Sequence, residues 1–416
     1  RGQLLTGTYP HTNGVICNEY RLFDDQRTIA HHFGAAGYRT AYVGKWHLGY
    51  GPFYEHKRHG FDDLYAYNCS HNYYDVSYWH NEDGPYPMVE YAPRKETALA
   101  VDYLRRHASA DSPVCLVLSW GPPHWNKLNK ERRYGDYPQE YDTYDSRSIE
   151  VSPNVPPPLR PFVRGELADY YGMVTSLDEC VGELMRALEE LGIANDTILC
   201  FSSDHGDFLG SHGYLTPADQ WLPHEFRLSK ASPYTEACKV PFILRWPAVV
   251  RASRRSDALF SSADVLPTLA SLAGVPGVEC HGTDLSRVIL DDDPSGPESC
   301  YLGVLAPGWP DRVYPGAMWR AVRTRETLYA RWHEPADRRL LIDLSSDPLE
   351  MQNLAGTAGS RSRESDMDEL LNAWMNRLGD PFLTGRRLPE TQILDLGQAF
   401  VTRVWEPHAH AELSRM

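Results

Sequence analysis

The chain has 416 residues, which is enough to bury a large core and indicates one large domain with a smaller one. Its 41 basic and 56 acidic residues give a net charge of -15, which argues against nonspecific binding to nucleic acid, although a local basic pocket could still hold a small anion. No stretch approaches the continuous apolar length that crosses a bilayer, so the sequence as given does not predict an integral membrane protein.

Helix-like and strand-like segments alternate through most of the chain. In chain order, the sequence predicts a helix at 26–36, a strand at 38–43, a helix at 94–107, a strand at 114–120, a helix at 165–191, strands at 197–201 and 240–246, and a helix at 262–273. Helices that alternate with nearly continuous apolar strands are typical of a mostly parallel sheet covered by helices on both faces. We therefore predict the α/β fold class for a first domain at 1–298.

The sequence changes in character after about residue 299. Segments at 316–329 and 339–344 look like short antiparallel strands, and 364–378 looks like one covering helix. This pattern predicts a small C-terminal α+β subdomain with an antiparallel sheet, which together with the tail occupies 299–416.

Two stretches, 65–91 and 125–164, interrupt the alternation, and we interpret them as irregular insertions of the kind that often form binding loops. The first is dense in Tyr, Trp and His. Its mixture of Tyr with Asn, Asp and His suits a wall that contacts a sugar better than it suits a core, because aromatic faces and polar tips both serve such a ligand. This composition favours a carbohydrate ligand.

Polar residues follow three of the predicted strands at the point where each strand ends. They lie at 44–49, at 121–124 and at 202–207. Since ligands of open α/β sheets bind at the carboxyl ends of the strands, we expect these groups to share one site. Lys230, in a loop ahead of the strand at 240–246, is a further candidate.

The residue types in these groups indicate the transfer of an oxyanion. Asp204 and His205 can present an oxygen and a nitrogen to one divalent cation. The remaining candidates are three cations and two histidines: Arg1, Lys45, Lys230, His47 and His124. Three cations are enough to hold a charged tetrahedral anion, and histidines titrate near neutrality and can move protons. The set predicts hydrolysis of a sulfate or a phosphate ester, and spacing alone does not choose between them.

The same motifs resemble those of the formylglycine-dependent (type I) sulfatases of the alkaline-phosphatase-like superfamily. The opening Arg-Gly-Gln-Leu-Leu-Thr-Gly at 1–7 is similar to the end of the family signature Cys-x-Pro-Ser-Arg-x-x-Leu-x-Thr-Gly. Further matches are Gly-Lys-Trp-His-Leu-Gly at 44–49, Asp-His-Gly-Asp-Phe-Leu-Gly at 204–210 and the closing turn at 343–350. The resemblance extends from Arg1 to about Glu350 and implies an alkaline-phosphatase-like fold.

The resemblance implies a role for each catalytic candidate. Lys45 and His47 match the lysine and histidine that bind the sulfate group and the nucleophile in this family. His124 and Lys230 match residues that face the leaving group, and Lys230 also keeps the family's distance to a Val-Pro strand. Arg1 matches the arginine that steadies the nucleophile.

The resemblance also implies a metal and a modified residue. Asp204 and His205 match half of a divalent-metal site of the calcium type; many members have Asn in place of His205, and His also occurs there. The other half, an Asp-Asp pair, and the cysteine that becomes formylglycine would both lie before Arg1. A formylglycine-generating system is therefore an implied partner of the intact protein. We expect the 416-residue chain itself to show no turnover, weak metal binding and an exposed sheet edge.

Other candidates for these groups fit the signature less well. Cys17 and Arg21 have the signature's spacing, but the residues between them lack its Pro and Ser. The pairs Asp24–Asp25 and Asp62–Asp63 do not follow apolar strands, and the first fits better as the cap of the helix at 26–36. Two neighbours of the metal motif are interpreted as structural: Asp207 and His212.

We interpret the intact protein as a sulfatase that releases inorganic sulfate from a sulfated small molecule or glycan. His47 is expected to take a proton, and Lys230 or His124 to protonate the leaving alcohol. Two alternatives stay open: a phosphonate monoester or phosphodiester hydrolase of the same superfamily, and a non-catalytic sulfate-binding protein. The sequence does not give the oligomeric state, and only the resemblance suggests a periplasmic or extracellular location.

Overall fold

The computed structural model describes residues 1–16, 20–107, 113–126, 135–213, 230–291, 296–305, 308–309, 312–313, 318–333 and 335–382. The helices are α1 (Gly2–Thr6), α2 (Pro10–Asn13), α3 (Ile29–Ala35), α4 (Ala92–His107), α5 (Arg160–Glu190), α6 (Thr235–Cys238), α7 (Val265–Leu272), α8 (Ser286–Leu290) and α9 (Arg361–Leu378). The first strands are β1 (Arg39–Lys45), β2 (Asp63–Tyr67), β3 (Val76–His80), β4 (Asp83–Met88), β5 (Val114–Ser119), β6 (Leu199–Ser202) and β7 (Phe242–Arg245). The later strands are β8 (Cys300–Val304), β9 (Gly308–Trp309), β10 (Arg312–Val313), β11 (Trp319–Arg323), β12 (Thr327–Trp332) and β13 (Arg339–Asp343). Across the described ranges, we find no helix with the length and apolar character that a membrane crossing requires.

The main sheet has five strands in the order β4-β3-β2-β1-β5. β1 runs parallel to both of its neighbours, with Ala41 opposite Asp63 on β2 and opposite Leu116 on β5. Every β1 residue except Arg39 is buried, as is typical of a parallel strand that has a neighbour on each side. The α/β prediction is confirmed, and within the described residues β5 has a strand partner on one side only.

The stretch at 65–91 is not the irregular insertion that we expected. It contains the end of β2 and the antiparallel strands β3 and β4, which extend the sheet. Asn81, with φ 55°, turns the β3–β4 hairpin, because Asn tolerates the left-handed conformation. Pro85 and Pro87 argue against a strand when the sequence of β4 is considered alone. β4 lies at the edge of the sheet, however, where proline is tolerated because the outer N–H groups need no strand partner.

The sheet is mixed rather than mostly parallel. β6 and β7, predicted at 197–201 and 240–246, form a separate antiparallel pair in which Leu199 lies opposite Arg245. Apolar runs predict that strands exist, but strand direction depends on which segments meet in space. The existence of both strands is thus confirmed, while their direction and sheet membership differ from the prediction.

Helices cover both faces of the main sheet, as predicted. On one face, Tyr42 of β1 packs in a cluster with residues of α3 and α7, including Phe33 and Leu266. On the other face, Ala41 packs with residues of α4 and α5, including Leu104. Successive strand residues point to opposite faces, so one buried strand supplies both cores.

The C-terminal part is an antiparallel sheet in the order β13-β12-β11-β8, covered by α9, which confirms the predicted α+β character. Met367 and Leu371 of α9 pack on Tyr329 of β12. The opposite face of the same sheet packs on Tyr234 and Cys238, which lie shortly before β7 in the sequence. The boundary at 298/299 stays a prediction.

Candidate active site

The site lies where β1, β5 and β6 end. β1 and β5 are parallel and adjacent, so their polar ends, at Lys45 and just after Ser119, meet at one edge. Gly44 makes this approach possible, since its φ is 104° and a Cβ there would lie 2.3 Å from the Ser119 carbonyl oxygen.

Lys45 and His47 occupy the end of β1 and the turn that follows. Lys45 is 5% exposed, and burial lowers the pKa of its ammonium to about 8. His47 has a φ of 53°, and its N–H donates to the Asn68 carbonyl at 2.8 Å. Burial, with the nearby charges of Lys45 and Arg1, lowers the pKa of His47 well below its ordinary value. His47 is therefore a neutral imidazole that can accept a proton.

Arg1 and Asp204 bridge the ends of β5 and β6. The Arg1 Nη2 donates to Ser119 Oγ at 3.2 Å and lies 3.5 Å from Asp204 Oδ2. Burial by itself would raise the pKa of Asp204, but the neighbouring His205, Arg1 and Lys230 lower it well below its ordinary value. Asp204 is consequently a carboxylate that faces several positive groups.

His205 and Lys230 contact each other directly. His205 Nδ1 lies 2.7 Å from the Gly206 carbonyl oxygen, and its Nε2 lies 2.7 Å from Lys230 Nζ. Burial, followed by the Lys230 charge, lowers the pKa of His205 to about 4. The neutral ring thus donates from Nδ1 and accepts from Lys230 at Nε2.

Asp204 and His205 are placed so that they can supply two ligands to one cation. Asp204 Oδ1 and His205 Nε2 are 3.6 Å apart, close enough for one divalent cation to contact both. Two protein ligands are too few for calcium, which takes about 6–8, so further oxygen ligands are required. Lys230 would have to leave Nε2 for this nitrogen to bind a metal.

His124 completes the group brought together at this edge. Its Nδ1 lies 2.9 Å from the Trp125 carbonyl oxygen, and its own carbonyl accepts from the Tyr73 hydroxyl at 2.7 Å. Burial, followed by the Lys45 charge, lowers the pKa of His124 well below its ordinary value. The ring lies edge-on to His205 with 6.4 Å between centroids.

Two further residues of the site were missed by sequence reasoning. Glu96 on α4 is fully buried near Lys45, and burial raises its pKa to about 8. Its position on the same helix face as Ala92 and Ala100 was the available signal, because that face is apolar. His71, beyond the end of β2, stacks on His124 with 4.2 Å between ring centroids. It lies in the stretch at 65–91 whose composition suggested a ligand-contacting wall, but its contact with His124 depends on the fold and has no local signature.

The residues set aside as structural have hydrogen-bond or ion-pair partners within the fold. Asp62 accepts from the Thr40 backbone N–H at 2.9 Å, and Asp63 pairs with His80 at 3.0 Å. The expected cap at Asp24–Asp25 is wrong: α3 begins later, and its N-cap is Thr28, whose N–H donates to His31 Nδ1. Two more have structural partners: Asp207 with the Leu209 N–H and His212 with Glu236. Cys17 lies outside the described residues.

Buried cations, neutral histidines and an acid–histidine pair, brought together at the ends of β1, β5 and β6, are groups that hydrolysis of a tetrahedral oxyanion ester requires. The sulfatase family model matches residues 1–275, and the model of the N-sulphoglucosamine sulphohydrolase C-terminal region matches residues 225–377. The chain therefore belongs to the sulfatase family, whose members hydrolyse sulfuric esters.

Relatives and solved structures agree with this assignment. The chain is 33% identical to an ulvan-active sulfatase from Formosa agariphila over 92% of its own length and 72% of the relative. It is 26% identical to an endo-4-O-sulfatase from Bacteroides thetaiotaomicron, covering 94% of this chain and 82% of that one. The structure of a putative sulfatase from Bacteroides fragilis superposes with a TM-score of 0.77 at 25% identity, covering 93% of this chain and 86% of that chain.

Proposed function

We propose that the intact protein hydrolyses a sulfate ester of a carbohydrate and releases inorganic sulfate. The supporting observation is the convergence of Arg1, Lys45 and Lys230 with the Asp204–His205 pair in a chain of the sulfatase family. Positive charges that are held before the reaction begins stabilise the charge that develops on a sulfuryl group. Relatives named for ulvan and for N-acetylglucosamine-6-O-sulfate chemistry favour a sulfated glycan as the substrate class.

The proposed division of labour follows the two sides of the site. Lys45 holds sulfate oxygens, Arg1 steadies the nucleophile, and neutral His47 takes a proton from the nucleophile side. Lys230 and His124 face the leaving group, and one of them gives a proton to the departing alcohol. A formylglycine, formed from a cysteine N-terminal to Arg1 by a generating system, would supply the attacking oxygen when present. Asp204 and His205 would hold a divalent metal, proposed to be Ca²⁺, which lowers the cost of negative charge on the sulfate.

The test compares esters on the intact protein that carries the segment before Arg1. Sulfate release from sulfated oligosaccharides, beginning with ulvan fragments, is measured by ion chromatography beside the cleavage of a phosphodiester at the same concentration. We expect faster sulfate-ester turnover; faster phosphodiester cleavage would overturn the proposal in favour of the related hydrolases. A matched Lys45→Met variant should lose most of the sulfate release, since a buried cation is removed without loss of volume.

A second comparison separates an enzyme from a non-catalytic binder. Under this proposal the 416-residue chain, assayed by itself, should bind inorganic sulfate and release none from any ester, because the proposed nucleophile is a residue N-terminal to Arg1. Turnover by this chain alone would contradict the role of an upstream formylglycine. Absence of a cysteine at the signature position before Arg1 would instead support a sulfate-binding protein.

A further inference from the structure

The segment that carries Lys230 rests on the C-terminal sheet. The indole Nε1 of Trp319, at the start of β11, donates to the Ala231 carbonyl oxygen at 3.0 Å. Trp319 is 3% exposed and packs in a cluster with Tyr234 and Cys238. The residue next to Lys230 is thereby fixed by a group that lies 88 residues further along the chain.

Ala231 has a backbone conformation that depends on this support. Its φ is 77°, in the left-handed region that a residue with a Cβ disfavours. Such conformations persist where the surrounding structure over-determines them, and they cluster at functional sites. The bond from Trp319 is the observed restraint at this position.

A second anchor holds the other end of the same segment. Glu350 is buried, and its carboxylate accepts from the Thr235 N–H at 2.9 Å and from the Thr235 hydroxyl. Arg323 of β11 donates to Thr235 Oγ1 at 2.9 Å and to Glu350 Oε1 at 3.2 Å. The start of α6 is thus tied to the C-terminal part by two charged side chains.

From α6 the contacts continue into the site. The Ala237 carbonyl accepts from the Gly206 N–H at 2.9 Å, and a Cβ on Gly206 would lie 1.9 Å from the Glu236 carbonyl oxygen. Gly206 in turn accepts from His205, whose other nitrogen meets Lys230 at 2.7 Å. In the described structure the contacts thus lead back to Lys230; a metal on His205 Nε2 would replace the last of them, while the bonds at Ala231, Thr235 and Gly206 would remain.

A metal is a poorer explanation of the same cluster. His212, Glu236 and Glu350 have ligand atoms within 4.8 Å of one another, which a cation could use. However, Glu350 is already neutralised by Arg323 and bonded to Thr235, while Glu236 accepts from the Asn154 amide at 2.5 Å and pairs with His212 at 3.2 Å. Acids whose oxygens already have donors and an arginine are equipped to hold the protein together.

We propose that Trp319 and Glu350 are positioning residues, which hold Lys230 and the turn around Gly206 in place for protonation of the leaving alcohol. The proposal rests on the function proposed above. It assigns the C-terminal subdomain a part in catalysis, although its own residues act through Ala231 and Thr235 and do not touch the substrate.

The test uses leaving groups of different quality on the intact enzyme. Trp319→Phe removes the indole N–H and keeps an aromatic ring, so kcat/KM for a sugar sulfate should fall by roughly tenfold or more, a part of the roughly 10²–10⁴-fold that general acid assistance supplies. The value for 4-nitrophenyl sulfate, whose leaving group needs no proton, should fall by less than about threefold. The control is Trp332→Phe, the cross-strand partner of Trp319 in the same cluster, whose ring packs on Arg338.

Glu350→Gln gives an independent measurement, with Glu364→Gln as its control, since Glu364 also pairs with an arginine at 3.2 Å in the C-terminal part. Glu350→Gln should speed hydrogen exchange of the Thr235 amide. It should also lower kcat/KM for the sugar sulfate more than kcat/KM for 4-nitrophenyl sulfate, and Glu364→Gln should do neither. Equal losses on both substrates in Trp319→Phe and Glu350→Gln, or unchanged rates, would overturn the proposal. If the intact enzyme without either substitution turns over no sulfate ester, the proposed function fails instead.

Discussion

Several ionisable side chains of the site are almost completely buried, and burial determines their protonation. Lys45 is held at a pKa of about 8, and Glu96, close by, also has a pKa of about 8. Both shifts have desolvation as their largest cause, because a low-dielectric environment disfavours whichever form is charged. Near neutral pH the site therefore presents a lysine that is still charged beside an acid that is largely neutral.

Sulfate binding should follow the charge of Lys45. As the pH rises through about 8 the ammonium loses its proton, so the affinity of the 416-residue chain for inorganic sulfate should fall between pH 7 and 9. Lys45→Gln should bind sulfate more weakly, by roughly tenfold at pH 7, and with a flatter pH dependence. Isothermal titration calorimetry measures both, and Lys57→Gln, at a lysine that lies over the Tyr54 ring, is the control. Equal pH dependence in Lys45→Gln would contradict this prediction.

Glu96 should make folding stability fall as the pH rises. Its pKa is raised to about 8 in the fold from an ordinary 4.5, so between these values the folded state binds a proton that the unfolded state has lost. Stability is then highest at low pH within this window and decreases by at most about 1.4 kcal/mol per pH unit. Glu96→Gln imitates the neutral acid and should remove this decrease, so that the variant is the more stable protein at pH 9. The free energy of unfolding of both proteins is measured in urea at pH 5, 7 and 9. The same decrease with pH in Glu96→Gln would contradict the role of Glu96.

At the level of elements, the site depends on how closely β1 and β5 approach. The two strands pair from Arg39 opposite Val114 to Gly44 opposite Ser119, and the residues that follow carry the chemistry. A side chain at Gly44 would meet the backbone of β5, which cannot move without disturbing the register. The spacing of the polar loops is consequently set by the strand pairing.

Gly44→Ala should destabilise the protein by roughly 3 kcal/mol, the sum of a left-handed conformation and a clash with a backbone oxygen. Gly37→Ala is the matched control, because φ is 89° there but the space around it is open. The control should cost only the conformational part, about 1–2 kcal/mol. Chemical denaturation measures both, and equal losses would show that the close approach to Ser119 has no energetic weight.

At the scale of the whole molecule, a buried ion pair of the C-terminal part lies against the first residues of the chain. Asp380, just after α9, forms a bidentate pair with Arg320 of β11 at 2.9 Å and accepts from the Tyr301 hydroxyl at 2.7 Å. His11 of α2, from the other end of the chain, lies 3.4 Å from the same carboxylate. The His11 Nε2 lies 3.0 Å from the Leu378 carbonyl oxygen, so α2 contacts the end of α9 beside the Asp380–Arg320 pair.

Removing this charge should weaken the whole protein. Asp380→Asn leaves the buried Arg320 guanidinium without its counter-charge, for which we expect a loss of roughly 3–5 kcal/mol. Unfolding should remain a single transition, because Tyr9 and Ala263 also pack with Tyr329 and residues of α9 in one apolar cluster. Asp343→Asn, which breaks a pair with Arg363 near the surface, is the control and should leave the midpoint almost unchanged. Separate transitions in Asp380→Asn would contradict a shared role.

The sequence by itself determined the parts of the protein that are local. Apolar runs predicted β1, β5, β6 and β7, and the polar turns that follow β1, β5 and β6 supplied candidates for one site. These inferences succeed because a strand and the loop after it are adjacent in the chain, so their pattern needs no partner to be recognised.

Only the tertiary structure decided which segments meet. It made the sheet mixed, added β3 and β4 to its edge, buried Glu96 beside Lys45, and set Trp319 on the carbonyl next to Lys230. Each of these features depends on residues far apart in sequence, whose contact is fixed by the packing of whole elements. A protonation state or a supporting hydrogen bond of this kind has no local signature, because burial and proximity arise only when the chain is folded.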